Sequence, residues 1–189
     1  MSLVAYRRLR PVDFIVGLLA FAAVVPVSAI LFETSSVFSF GWWKLLGGYG
    51  NPIFGLHRGV SGVPALVSFL TLAVVLLLQL PYAVESEEKC FRLGSEKRSW
   101  PRRIWVAFIF GLVHFIGGVP LGPAIAISIP GMVFTLVYLR RYRKVAPETL
   151  TESDAAFLAQ KASERVHLAY NLIIIACCIA LMPFLLFGS

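Results

Sequence analysis

Residues 85–114 read ESEEKCFRLGSEKRSWPRRIWVAFIFGLVH, and the fold hangs on how this stretch is read. Glu85, Glu87, Glu88 and Arg92 follow directly on an apolar run that ends near Val84. A cationic turn comes next, with Lys97, Arg98, Arg102 and Arg103. A second apolar run, Ile104 to Val119, then carries a single base, His114. Two apolar runs joined by a charged turn predict a helical hairpin. Polar groups held beside hydrocarbon are expensive, so those in this hairpin are the first candidates for function.

The surrounding chain fits a membrane. Of its 189 residues 58% are hydrophobic and only 14% charged, and the mean hydropathy is +0.81. That is too apolar for an ordinary soluble domain. The expectation is an all-α polytopic transmembrane bundle forming one membrane domain over 1–189. About five spans are predicted: Phe14–Phe32, Val63–Val84, Ile104–Val119, Leu121–Leu139 and Val166–Phe187. The fourth contains Pro130 and Gly131 as a kink, and Pro81 bends the second. Residues 33–60, with Trp42, Trp43, Gly47, Gly48, Gly50, Pro52 and His57, contain no run long enough to span. They read as an interfacial or re-entrant segment with an aromatic anchor. Residues 145–165 read as an amphipathic helix feeding the last span, started by Thr151 with Asp154 or by Ser153.

Charge sets the orientation. The net charge of +7 would suggest nucleic acid in a soluble protein. Here, with an N-terminus inside, residues 1–12, 84–103 and 140–165 hold all the Lys and Arg except Lys44 and Arg58. That asymmetry predicts a cytoplasmic N-terminus and an outer C-terminus in the cell membrane, or in the endoplasmic reticulum of a eukaryote. Nucleic acid is not an expected partner; membrane lipids are. Cys90, Cys177 and Cys178 have no metal-site spacing and read as packing residues. The first apolar run is longer than a usual signal core and reads as a retained helix.

Three spacings carry chemistry. Glu88 and Arg92 are four apart on a helix and share a face. Phe110 and His114 are four apart, as are His167 and Asn171, so each pair points to one side. If the second span continues as helix to a turn near Trp100, Glu87 and His114 both lie about 20 Å from that turn. The hairpin would then set a carboxylate opposite an imidazole, where the two could hold and deprotonate a water. His167 and Asn171 could donate to a developing oxyanion. No His-Glu-x-x-His zinc motif is present, so a zinc protease ranks low, and no cofactor is expected.

Glu87-Glu88-x-x-x-Arg92, then Phe110-x-x-x-His114, then His167-x-x-x-Asn171 together resemble the CAAX protease and bacteriocin-processing (Abi) family. These are intramembrane glutamate-type proteases, similar to the Ras-converting CAAX endopeptidase. The resemblance covers about residues 60–187. Leu93 stands where that family often has a glycine, with Gly94 next. The resemblance implies Glu87 and His114 as water activators, with His167 and Asn171 on the oxyanion side. Glu88 and Arg92 would support them, with Phe110 in its motif place. It implies a metal-independent endopeptidase acting on a peptide or lipidated protein substrate, prenylated or not. The competing reading is a non-catalytic membrane protein of the same fold, in bacteriocin self-immunity or scaffolding.

Overall fold

The computed structural model describes residues 2–42, 45, 62–148 and 151–187, and every regular element among them is helical. Seven α-helices run in order: α1 (Ser2–Arg7), α2 (Pro11–Thr34), α3 (Gly62–Phe91), α4 (Trp100–Ile116), α5 (Leu121–Ala126), α6 (Ser128–Val145) and α7 (Glu152–Phe187). Four stretches are long and apolar enough to cross a membrane: Pro11–Thr34, Leu66–Lys97, Leu121–Glu148 and Glu152–Leu181. The protein therefore reads as a membrane protein. Helix α4, with 17 residues, is shorter than these.

Each boundary has a local cause. Pro11 opens α2, where its missing N–H costs nothing. Asp13 then turns back to accept the Arg10 amide at 2.9 Å. Helix α3 stops at Phe91, and Gly94 takes φ +80°, a left-handed conformation that only glycine adopts without strain. Thr151 starts α7: its hydroxyl accepts the Asp154 amide at 3.1 Å and donates to the Asp154 carboxylate at 2.7 Å. The polar stretch after 151 is thus continuous helix with the last span, as expected.

The fourth predicted span differs in detail. Its break falls at Ile127, between α5 and α6, not at Pro130. Pro130 instead occupies the first turn of α6, where a backbone N–H would have no partner within the helix.

Helix α7 is the central post, packed along α2, α3 and α6. Gly17 of α2 lies against the backbone of Tyr170, where a Cβ would come within 3.0 Å of the amide nitrogen. Ala20, Phe110, Phe134, Val166 and Tyr170 form the buried core between α2, α4, α6 and α7. Ser163 ties α7 to α6 by donating to the Phe134 carbonyl at 2.9 Å.

Helix α4 leans on α5 and α6 and scarcely touches α3. Gly111 permits this: a Cβ there would meet the Ala124 carbonyl oxygen at 2.3 Å. Helices α3 and α4 are therefore not a closely packed hairpin. The loop between them is latched instead. Arg98 donates to the carbonyls of Phe91 (2.6 Å) and Leu93 (3.0 Å), and Arg103 to that of Ser95 (3.0 Å). Tyr138 of α6 donates to Glu96 at 2.7 Å.

Of the aromatic segment after α2, a short 3-10 turn covers Ser36–Ser39. Trp42 donates its indole N–H to the carbonyls of Phe115 (2.8 Å) and Ile116 (3.1 Å) at the end of α4. Trp43, Gly47, Gly48, Gly50, Pro52 and His57 lie outside the described residues.

Candidate active site

The last turn of α3 and the middle of α7 bring two carboxylates and an imidazole together. On α7, His167 is only 1% exposed. Its Nδ1 lies 3.0 Å from Oε1 of Glu88, and its Nε2 lies 3.4 Å from Oε2 of Glu87. Adjacent helix positions point about 100° apart, so one acid meets each ring nitrogen. Glu88 is wholly buried, whereas the Glu87 side chain keeps 35% of its exposure.

Arg92 lies one turn beyond Glu88, as the spacing predicts, with its Nε 3.8 Å from Glu88 Oε1. It too is wholly buried. Its guanidinium sits over the Phe110 ring, 4.2 Å from the centroid. That contact is worth about 2 kcal/mol when desolvated. The buried guanidinium is thus flanked by a carboxylate on one side and an aromatic face on the other. With the Glu88 carboxylate as acceptor, Nδ1 of His167 is the donor.

Aromatic rings fix the imidazole. Phe134 stacks on His167 at 4.4 Å and 22°, and Phe110 meets it edge-on at 5.6 Å. Phe110 is the hub: Arg92, Phe91, Phe134, His114 and His167 all touch its ring.

His114 occupies another side of that hub, half-buried, its ring 5.0 Å from Phe110. Its Nδ1 lies 2.8 Å from the Phe110 carbonyl, one turn back. A carbonyl can only accept, so Nδ1 holds the proton and Nε2 is left as an acceptor. Among the described residues His114 makes no ion pair with either glutamate. The helix that carries Glu87 ends at Phe91 rather than running on to Trp100. Asn171 stands one turn beyond His167, half-buried, and its side-chain amide makes no hydrogen bond among the described residues.

Several buried polar atoms here lack a hydrogen-bond partner among the described residues: Oε2 of Glu87, Oε2 of Glu88 and the three Arg92 nitrogens. Such atoms clustered in one place define a strongly polar spot within an apolar bundle. No three His, Cys, Asp or Glu side chains among the described residues are placed to hold a metal ion.

Comparison with protein-family models, curated proteins and solved structures finds no match.

Two partners of the site were not foreseen. Phe134 sits in an apolar run with nothing local to mark it. Asp13 is 4% exposed and lies 3.3 Å from Arg165 Nε. Its signal was available: an acid two residues after a helix-opening proline. A cavity of about 440 Å³ also opens beside the site between α1, α3 and α7. Its walls include Arg8, Pro81, Val84, Glu85, Lys161 and Leu168. Glu85 is one turn before Glu88, and Leu168 adjoins His167.

Proposed function

We propose that the protein is a membrane-embedded, metal-independent endopeptidase in which Glu87 activates a water, as the resemblance to the CAAX protease and bacteriocin-processing family implies. The observation that supports this is the pairing of Glu87, half-exposed, with an imidazole whose other nitrogen is held by the buried Glu88. An imidazole oriented by a buried carboxylate and turned toward a reacting group is a recurring catalytic arrangement. In this reading Glu87 takes a proton from water as the water oxygen attacks the scissile carbonyl. The amide of Asn171 donates to the oxyanion that forms. The C–N bond then breaks, and the proton passes from Glu87 to the leaving amine, with His167 Nε2 accepting from Glu87 while Glu87 carries that proton. His114, with Nε2 as acceptor, holds the water from the Phe110 side.

The substrate class proposed is a membrane-associated peptide or lipidated protein, prenylated CAAX-type ends among them. It reaches Glu87 from the cavity between α1, α3 and α7. With this goes a five-span topology in the cell membrane, with α4 as the added span and the N-terminus cytoplasmic. At about 1.5 Å per residue α4 is roughly 25 Å long, close to the hydrocarbon thickness.

A second reading rests on a specific observation. Glu88, Arg92 and His167 are all wholly buried, as a purely structural polar core would be. That fits a non-catalytic protein of the same fold, in self-immunity or scaffolding. Proteoliposomes and quenched fluorescent peptides, prenylated and unprenylated, separate the two. The enzyme reading expects cleavage that survives chelators and is lost in Glu87→Gln, while that variant still inserts. Cleavage unchanged in Glu87→Gln and His167→Gln would sink it.

A further inference from the structure

A second cleft lies away from the candidate active site, between the start of α4 and the last turns of α6. It measures about 340 Å³ and is lined by Trp100, Leu136, Leu139, Arg140 and Arg143. We propose that this cleft binds one anionic phospholipid of the leaflet at this end of the bundle, independently of any catalytic role.

The four α6 residues fall at positions i, i+3, i+4 and i+7, so they form one stripe. Each arginine stands one turn beyond a leucine, about 6 Å along the axis. The cleft thus has an apolar half and a cationic half, in the order that an acyl chain and its phosphate present. Leu136 is 46% exposed and Trp100 is 48% exposed. On a membrane-spanning bundle such exposed apolar side chains face lipid, and tryptophan belongs at headgroup level.

Charge decides the headgroup. Among the described residues no acidic side chain lines the cleft. Arg140 and Arg143 make no ion pair or hydrogen bond among the described residues, so both guanidiniums are available. Arg103, close by, is committed: it donates to Ser95 and Glu96 carbonyls and covers the Trp100 ring at 4.7 Å. That contact orients the indole and leaves the phosphate to Arg140 and Arg143. Two guanidinium forks match a phosphodiester's oxygens. With no carboxylate among the described lining residues and Arg103 already over the Trp100 ring, the cleft favours an anionic headgroup over a zwitterionic one. The apolar half opening to the lipid side favours a whole lipid over a soluble phosphate.

The test uses the full chain in detergent micelles, titrated with dioleoylphosphatidylglycerol or dioleoylphosphatidylcholine, with bound lipid counted by native mass spectrometry. One phosphatidylglycerol should be retained in preference to phosphatidylcholine. Arg140→Gln/Arg143→Gln should weaken it roughly 10- to 30-fold, from two basic contacts near the surface. Arg140→Lys/Arg143→Lys, which keeps the charge, should recover most of the binding. Arg102→Gln/Lys144→Gln, an equal charge loss at the same end outside the cleft, should leave it intact. Equal loss in that control pair, equal retention of phosphatidylcholine, or equally tight binding of glycerol phosphate alone would each overturn the assignment.

Discussion

Nδ1 of His167 lies 3.0 Å from Oε1 of Glu88, hydrogen-bonded between two side chains that have no effective exposure to solvent. The residues are 79 apart in sequence, and the bond fastens α3 to α7 at the point where both helices pass from polar to apolar residues. It fixes the tautomer and orientation of the imidazole, and Phe134 stacked at 4.4 Å fixes its plane. The other nitrogen is left facing Glu87.

Removing the Glu88 carboxylate should be costly. Glu88→Ala strands the Arg92 guanidinium in the bundle and leaves Nδ1 of His167 without an acceptor. Breaking a buried pair from one side costs about 3–5 kcal/mol. Thermal unfolding in detergent should show a large loss for Glu88→Ala, and a similar one for Arg92→Ala. In a cycle of Glu88→Gln, Arg92→Met and their combination, the double variant should be less harmful than those two single losses added together. The Gln oxygen still accepts from His167, and no unpaired charge remains. Strict additivity in that double-mutant cycle would contradict the coupling.

Glu87 and Glu85 should behave oppositely to one another in activity. Glu87→Gln keeps size and leaves the buried Glu88–Arg92 pair intact, so the folded protein should persist. Under the proposed chemistry cleavage should fall by about 10²–10⁴-fold, the usual contribution of a positioned base. Glu85 pairs with Lys89 at 2.7 Å and lies 3.9 Å from Lys161, at the edge of the neighbouring cavity. Pairs of that kind contribute about 0–1 kcal/mol. Glu85→Gln should therefore cleave within about twofold of the parent, in the same vesicle assay.

Much of this arrangement was legible in the residues. Apolar runs announced the long helices, because hydrocarbon demands uninterrupted length. The i, i+4 spacing put Glu88 beside Arg92, since helix periodicity is local. What was missed is the helix end: Leu93-Gly94 after Arg92 is a helix-stop signal, and α3 ends at Phe91 rather than running on to Trp100. The partner that His167 found depended on which helices pack together. That is a tertiary matter with no periodic signature. Phe134 was invisible for the same reason.

Gly111 should tolerate no side chain. A Cβ there would lie 2.3 Å from the Ala124 carbonyl oxygen and 2.8 Å from the Ser128 amide nitrogen. Backbone cannot swing aside as a flexible side chain can. Gly111→Ala must push α4 away from α5 and α6, carrying Phe110 and with it the rings around His167. Overpacking of this kind costs about 1–3 kcal/mol, occasionally more. Gly94→Ala adds no clash but forces a left-handed alanine, about 1–2 kcal/mol. Thermal unfolding should rank Gly111→Ala as the more damaging, with a loss of cleavage that Gly94→Ala does not match.

Asp13 should act on the site through α7, although it lies far from it in sequence. Its carboxylate accepts the Arg10 amide at 2.9 Å and faces Arg165 Nε at 3.3 Å. Gly17, one turn further on, rests on the Tyr170 backbone. These two contacts bracket His167 from either side along α7, so α2 holds the segment that presents the imidazole. Asp13→Asn keeps an acceptor for the Arg10 amide but removes the charge that pairs with Arg165. It should cost about 1.5–3 kcal/mol, the range for a hydrogen bond to a charged group. The effect on cleavage should appear as lower kcat with little change in KM, because the imidazole is displaced while the cavity beside α3 is untouched. Asp13→Ala should be worse in both respects. If kcat is unaltered in both variants while stability falls, α2 is a brace for the bundle and does not position His167.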